Sequence, residues 1–318
     1  MSMPWQTRLF AAVLGRLSSP QEEVDDDAMV RTRARRTRQL TMRGAQIIFG
    51  RPATDVDVRE LEVALGDGFV STVLVHTPRG ATVTPRPVVL NLHGGGWCQG
   101  EPRQSAWAAS HVASRSGAVV VSPSYRLAPE HRYPAASDDA VAGLEWLLAH
   151  AAELGADAGR VAVMGDSAGG NLAAVCALHA RDRGVELRGQ VLIYPAVEIY
   201  ERYPSEDANA HAPVLTSRSM RTFSRTYLGD AYGVEDWQAS PIRAASHTGL
   251  CPALILTAGH DPLRDHGEKY REVLEAAGVK VQVVDYPEAI HGFISLPGVV
   301  PAAQDALDEI VAFLGVVL

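Results

Sequence analysis

Met164-Gly165-Asp166-Ser167-Ala168-Gly169-Gly170-Asn171-Leu172 follows the apolar stretch Arg160-Val-Ala-Val and leads into the helix-forming run Ala173-Ala-Val-Cys-Ala-Leu178. This is Gly-x-Ser-x-Gly set where a strand turns sharply into a helix. A turn that tight crowds the backbone on both sides of the serine, so small residues are required at 165 and 169. In return the Ser167 oxygen is pushed into the open and the helix N-terminus directs its amides at the same point. The stretch predicts an α/β fold with Ser167 as a nucleophile.

Upstream, His93-Gly-Gly-Gly-Trp97 follows Pro87-Val-Val-Leu-Asn-Leu92, an apolar run of strand length. Three consecutive glycines leave backbone amides unshielded and free to adopt unusual dihedrals. Such amides suit a carbonyl oxygen that becomes an oxyanion. A phosphate-cradling loop would need a Lys-Ser/Thr pair or a Gly-x-Gly-x-x-Gly continuation, and Trp97-Cys98-Gln99-Gly100 supplies neither. Downstream, Ala253 to Gly259 reads as a buried strand with Asp261 just past it. Val281 to Tyr286 reads as another, with His291 beyond it. All of these candidates stand at strand C-termini, the rim where open α/β sheets carry their sites. An acid and a base in the chain order Ser167, Asp261, His291 complete a nucleophile–base–acid set.

Together these pieces carry a family resemblance. His93-Gly-Gly-Gly, Ser124-Tyr-Arg-Leu-Ala-Pro-Glu130, Tyr133-Pro-Ala-Ala, Gly165-Asp-Ser-Ala-Gly-Gly-Asn, Asp261-Pro-Leu-Arg-Asp265 and His291-Gly-Phe resemble the motifs of the hormone-sensitive-lipase-like (bacterial family IV) serine esterases, over about residues 85 to 293. The resemblance implies an α/β-hydrolase fold: a mostly parallel eight-stranded sheet flanked by helices, with a helical cap. It implies carboxylesterase activity with Ser167, Asp261 and His291 as the triad, and an oxyanion hole made by two amides within Gly94–Gly96, foremost Gly94 and Gly95, with that of Ala168. No metal or organic cofactor is implied. Trp97 and Leu215 are expected to line the substrate pocket. His266 stands where the family pattern has Glu; it is expected to lie outside the triad and to alter local hydrogen bonding.

Periodicity sets the organisation. Helix-like stretches at about 5–17 and 21–48 precede a hairpin, Val56–Leu65 and Val70–His76, joined at Gly66-Asp-Gly68. From Pro87 onward strands at 87–92, 118–123, 160–165, 189–195, 253–258 and 281–286 alternate with helices at about 103–116, 137–152, 168–183, 264–277 and 301–315. More than fifty residues separate Pro195 from Ala253, where a plain crossover needs about a dozen or somewhat more. The expected division is residues 1–50 as N-terminal helices contributing to the cap, 51–197 and 231–318 as the catalytic domain, and 198–230 as the cap insertion. Arg126 and Glu130 are expected to tie their loop together, Asp139 to start a helix, and Pro129 and Pro134 to follow cis bonds as in the family.

Composition fits. A chain of 318 residues with 47% apolar residues buries a large core, and a net charge of −8 excludes nucleic acid as a main partner. Cys98, Cys176 and Cys251 are scattered and odd in number, which points to a reducing compartment. Leu9 to Gly15 is too short for a span of roughly 18 apolar residues and lacks a signal cleavage pattern. The expected setting is the cytoplasm, with a small-molecule ester as substrate, no stable membrane insertion, and a homodimer left open. Arg31 to Arg38 reads as a solvated basic face. Two rival readings are a ligand-binding protein on the same scaffold, disfavoured by the complete triad, and a hydrolase of amides or lactones, which the triad alone does not exclude.

Overall fold

The computed structural model describes residues 2–17, 26–40, 42, 44–80 and 85–318. Eight strands, β1 (Val56–Leu65), β2 (Phe69–Pro78), β3 (Arg86–Leu92), β4 (Val119–Pro123), β5 (Ala156–Asp166), β6 (Gly189–Ile193), β7 (Ala253–His260) and β8 (Val281–Ile290), form one sheet in the order β1-β2-β4-β3-β5-β6-β7-β8. Only β2 runs against the rest. The helices are α1 (Trp5–Leu17), α2 (Asp26–Leu40), α3 (Gln46–Phe49), α4 (Ala106–Ser116), α5 (Ala135–His150), α6 (Ala168–Asp182), α7 (Pro204–Ala208), α8 (Ser217–Leu228), α9 (Arg264–Ala276) and α10 (Ala302–Val317).

The central strands are apolar on both faces because helices cover both. Successive residues alternate between two cores. Val88, Leu90, Val161, Val163 and Ile255 join α5, α6 and α9 through Leu144, Leu172 and Tyr270. Val89, Ala162, Met164, Leu254 and Leu256 join α4 and α10 through Val112, Leu307, Ile310 and Leu314. Each fully buried Leu or Ile contributes about 1.5–3 kcal/mol relative to exposure, so this period-two division is what specifies the strand register.

Topology then places the site. From β3 the chain crosses to β4 on one side and returns past β3 to β5 on the other. The C-terminal ends of β3 and β5 therefore flank the point where the strand order reverses, with Leu92 paired to Gly165. His260 pairs with Ile290, which sets the residues that follow β7 and β8 side by side.

Several expectations need correction. The second N-terminal helix does not run through 21–48: α2 ends at Leu40 and α3 is a separate turn from Gln46, with Gly44 at φ +88° between them. Residues 21–25, 41 and 43 of that expectation lie outside the described residues. β8 continues four residues past Tyr286, through Pro287. As the edge strand it tolerates a residue without an N–H, and its register shift against β7 falls where Gly259 packs onto Pro287. Arg126 does not pair with Glu130. Its guanidinium grips Asp139 in α5, with Nη2 to Oδ1 at 2.7 Å, and reaches Asp67 at 3.0 Å; Glu130 pairs with Arg33 of α2. Asp139 lies in the second turn of α5 and accepts the Arg126 amide rather than opening the helix. The Ala128–Pro129 and Tyr133–Pro134 bonds are cis.

Candidate active site

The turn after β5 has the geometry its sequence requires. Ser167 adopts φ 56°, ψ −117°, a conformation that costs a non-glycine residue about 1–3 kcal/mol. A Cβ at Gly165 would sit 2.1 Å from the Gly169 carbonyl oxygen, and one at Gly169 would sit 2.0 Å from that of Leu92. Backbone packs directly on backbone, so no side chain fits. The Ser167 amide donates to Ile193 O at 2.9 Å, and the Asn171 amide group donates to the carbonyls of Ala196 and Ala239, both at 2.8 Å. These bonds hold the strained turn from two sides.

Ser167, His291 and Asp261 come together although 124 and 30 residues separate them in pairs. Ser167 Oγ lies 3.0 Å from His291 Nε2, and His291 Nδ1 lies 2.7 Å from Asp261 Oδ2. A carboxylate only accepts, so the imidazole carries its proton on Nδ1 and leaves Nε2 free to take one from serine. Asp261 is fully buried, and its Oδ1 accepts the Leu263 amide at 2.8 Å. Ser167 and His291 are only 8% and 7% exposed, so the reacting atoms are largely shielded from bulk water. Asp285 is turned elsewhere, accepting from Thr257 Oγ1 at 2.7 Å and from Arg264 at 3.0 Å.

The glycine loop departs from expectation at its first residue. The Gly94 amide donates to Asp166 Oδ1 at 2.8 Å and is not free to receive an oxyanion. The amides of Gly95, Gly96 and Ala168 make no hydrogen bond among the described residues. Ala168 opens α6, whose positive end adds to the field there. Gly95 and Gly96 have φ +133° and +60°. A Cβ would meet Gln99 O at 2.1 Å in the first and the Phe223 ring at 2.5 Å in the second.

Trp97 closes the glycine run and is buried. It is 3% exposed, and its ring stacks on Tyr227 of α8 at 4.6 Å and 6°, bracing the loop against that helix. Leu215, 6% exposed, joins the same core, while its neighbour Val214 (φ 70°) lies where a Cβ on Gly292, beside His291, would meet it at 3.6 Å. Met29 of α2 packs with Cys98, Ala128 and Phe223, and burial pushes the Cys98 thiol pKa up, away from reactivity. His266 is buried, and neither ring nitrogen has a hydrogen-bond partner among the described residues. It meets Tyr203 edge-on at 5.2 Å, and desolvation lowers its pKa to about 3.

Sequence reasoning missed Asp166, Asn171 and Tyr194. Asp166 is a charge in an otherwise apolar strand end, a signal visible in the motif. Burial raises its pKa to about 6, opposed by the Gly94 amide, His291 and Tyr194. Tyr194, at φ 36°, packs its ring 4.7 Å from that of His291.

Comparison with known proteins identifies the family and agrees with the fold. Residues 89–295 match a family model described as the alpha/beta hydrolase fold. The esterase LipI of Mycobacterium tuberculosis is 42% identical over 267 residues, 82% of this chain and 83% of its own length. This chain belongs to the hormone-sensitive-lipase-like α/β-hydrolases. An ethyl acetate hydrolase of Pseudomonas putida is 34% identical over 260 residues, covering 81% of this chain and 82% of its own. Among solved structures, a hyperthermophilic esterase from Pyrobaculum calidifontis is 34% identical and superposes with a TM-score of 0.85 over all of both chains. These relatives carry the names of ester-cleaving enzymes.

Proposed function

We propose that this chain hydrolyses short- to medium-chain carboxylic esters by two-step acyl transfer through Ser167. That it is a carboxylic ester hydrolase follows from its family and from relatives named esterases across most of its length. The observation that carries the mechanism is the pair of hydrogen bonds from Ser167 through His291 to Asp261, with three unpaired amides nearby.

His291 Nε2 takes the proton from Ser167 Oγ as the oxygen attacks the ester carbonyl. The amides of Gly95, Gly96 and Ala168 receive the oxyanion; one such donor contributes about 10²–10³ in rate. His291 then protonates the leaving alcohol while Asp261 holds the ring and stabilises its charge. Water repeats the sequence on the acyl-enzyme and releases the acid.

The insertion at 198–230 and the N-terminal helices act as the cap in this reading. Phe223 over Gly96, Val214 over Gly292, and Met29 against Cys98 support it. Such a cap excludes water and bounds the acyl pocket. Each methylene adds about 0.8 kcal/mol only while it finds buried surface, so activity rises through short acyl chains and then falls. Among the described residues no helix is long and apolar enough to cross a membrane. Three free cysteines support a cytoplasmic setting, and a homodimer is compatible with this reading.

The test is kcat/KM on p-nitrophenyl esters from acetate to palmitate, with an ester and its matching anilide run in parallel. A maximum at palmitate, or a jump in rate past the substrate's solubility limit, would make this a lipase. Equal turnover of the anilide would make it an amidase.

A further inference from the structure

We propose that Asp166 is a positioning residue for the oxyanion loop: by accepting the Gly94 amide, its carboxylate holds, together with the Tyr125 hydroxyl, the first of three peptide planes whose orientations aim the Gly95 and Gly96 amides. The proposal rests on the ester-hydrolase reading above and adds to it a carboxylate that takes no part in the hydrogen bonds among Ser167, His291 and Asp261.

The argument is plane by plane. A trans peptide is rigid, and its C=O and N–H point in opposite directions, so holding one fixes the other. In the 93–94 unit, the Tyr125 hydroxyl donates to His93 O at 2.6 Å and the Gly94 N–H donates to Asp166 at 2.8 Å. In the 94–95 unit, His93 Nδ1 holds Gly94 O at 2.9 Å, which turns the Gly95 N–H away from it. In the 95–96 unit, Gly95 O accepts from Cys98 N at 3.2 Å and Gln99 N at 3.0 Å, which turns out the Gly96 N–H. Tyr125 stacks on His93 at 4.2 Å, so the ring that serves the second plane is itself clamped.

Asp166 is the anchor common to the loop and to the nucleophile, for it immediately precedes Ser167. A Cβ at Gly94 would lie 2.4 Å from Asp166 Oδ2 and 2.9 Å from its backbone oxygen, so glycine at 94 and the carboxylate at 166 are a matched pair. The acceptor is what the loop needs. The charge is not: a buried negative group near a developing oxyanion opposes it, and the raised pKa of Asp166 records the cost of that charge.

The test compares Asp166→Asn, which keeps an acceptor oxygen and loses the charge, with Asp166→Leu and Asp166→Ala, which lose the acceptor with a larger and a smaller side chain respectively. Wild type must first hydrolyse p-nitrophenyl acetate; its failure to do so would refute the ester-hydrolase reading instead. Asp166→Asn is expected to keep kcat within about tenfold. Whichever of Leu and Ala folds is expected to lose about 10²-fold in kcat, on the scale of one oxyanion donor, with KM within about threefold. Affinity for a trifluoromethyl ketone, which presents an oxyanion, should fall in step with kcat/KM. In a double-mutant cycle, Gly94→Ala should cost at least tenfold less in the Asp166→Ala background than alone. The proposal is overturned if Asn is as impaired as Leu and Ala, if KM carries the loss, if ketone affinity is unchanged, or if the cycle is additive.

Discussion

Two glycine-rich turns meet at the site, and they are built on different grounds. The turn around Ser167 is backbone against backbone: Gly165 faces the Gly169 carbonyl and Gly169 faces that of Leu92. The loop after His93 is backbone against side chains and a distant helix: Gly94 faces Asp166, Gly96 faces Phe223, and Trp97 stacks on Tyr227. The first turn meets only backbone, its own at Gly169 and that of the neighbouring strand at Leu92. The second meets backbone at Gly95, against Gln99, but side chains at Gly94 and Gly96. Glycines that face backbone can be read from the turn itself; glycines that face side chains show only that they are needed, not what each one does.

The largest effect expected separates the triad from its neighbours on the same rim. Asp261→Asn should lower kcat by about 10⁴, because the imidazole loses the acceptor that fixes its tautomer. Asp285→Asn should change kcat by less than about tenfold, since Asp285 serves Thr257 and Arg264. Steady-state kinetics of both variants check this, and exchanged phenotypes would refute the assignment of the acid.

The next effect tests the contrast between the turns directly. Gly96→Ala should cost about 10²–10³ in kcat by displacing an oxyanion amide against Phe223. Placed in a Phe223→Ala background it should recover part of that loss, because the obstacle is a side chain. Gly169→Ala should find no such rescue, because its obstacle is the Leu92 carbonyl. Equal rescue at both positions would erase the distinction.

The same contrast explains which parts of the molecule were legible. Central strands were readable because each is a short continuous apolar run with a polar or small residue after it: Leu92 before His93, Met164 before Gly165. Where reading stopped early, at Tyr286 of β8, a proline that would break an inner strand proved harmless on the edge. Gly94 was misassigned because a free amide and an amide held by Asp166 look identical in a run of three glycines. The stacking of Trp97 on Tyr227 of α8 was not legible, because no periodicity links residues so far apart in the chain. Arg126 chose Asp139 over Glu130 because α5 packs back under the loop, and Glu130 was taken by Arg33 of α2.

The smallest effect concerns acid stability, where the two turns pull in opposite directions. His93 in the loop, with His76, has its pKa lowered to about 4, and His266 to about 3, all by burial. Above the usual histidine value of about 6.5 these rings are neutral folded or unfolded. Below it the unfolded chain takes up protons that the folded chain refuses, so stability is lost as pH falls from about 6.5 toward 3. Asp166 beside the nucleophile works the other way: with a folded pKa of about 6, above the carboxylate norm, it regains stability as pH falls through that value. Three histidines outweigh one aspartate, so the urea midpoint should fall between pH 7 and pH 4. His93→Asn should flatten that dependence and Asp166→Asn should steepen it. A midpoint that rises on acidification would contradict this balance.

The central claim is that ester cleavage passes through a covalent bond to Ser167. Incubating the protein with a p-nitrophenyl phosphonate ester and mapping the adduct by peptide mass spectrometry tests it most directly. The expected result is one adduct per chain, on the peptide holding Ser167, formed in step with loss of esterase activity and absent from Ser167→Ala. Full inactivation with the adduct on another residue, or esterase activity retained by a folded Ser167→Ala variant, would contradict it.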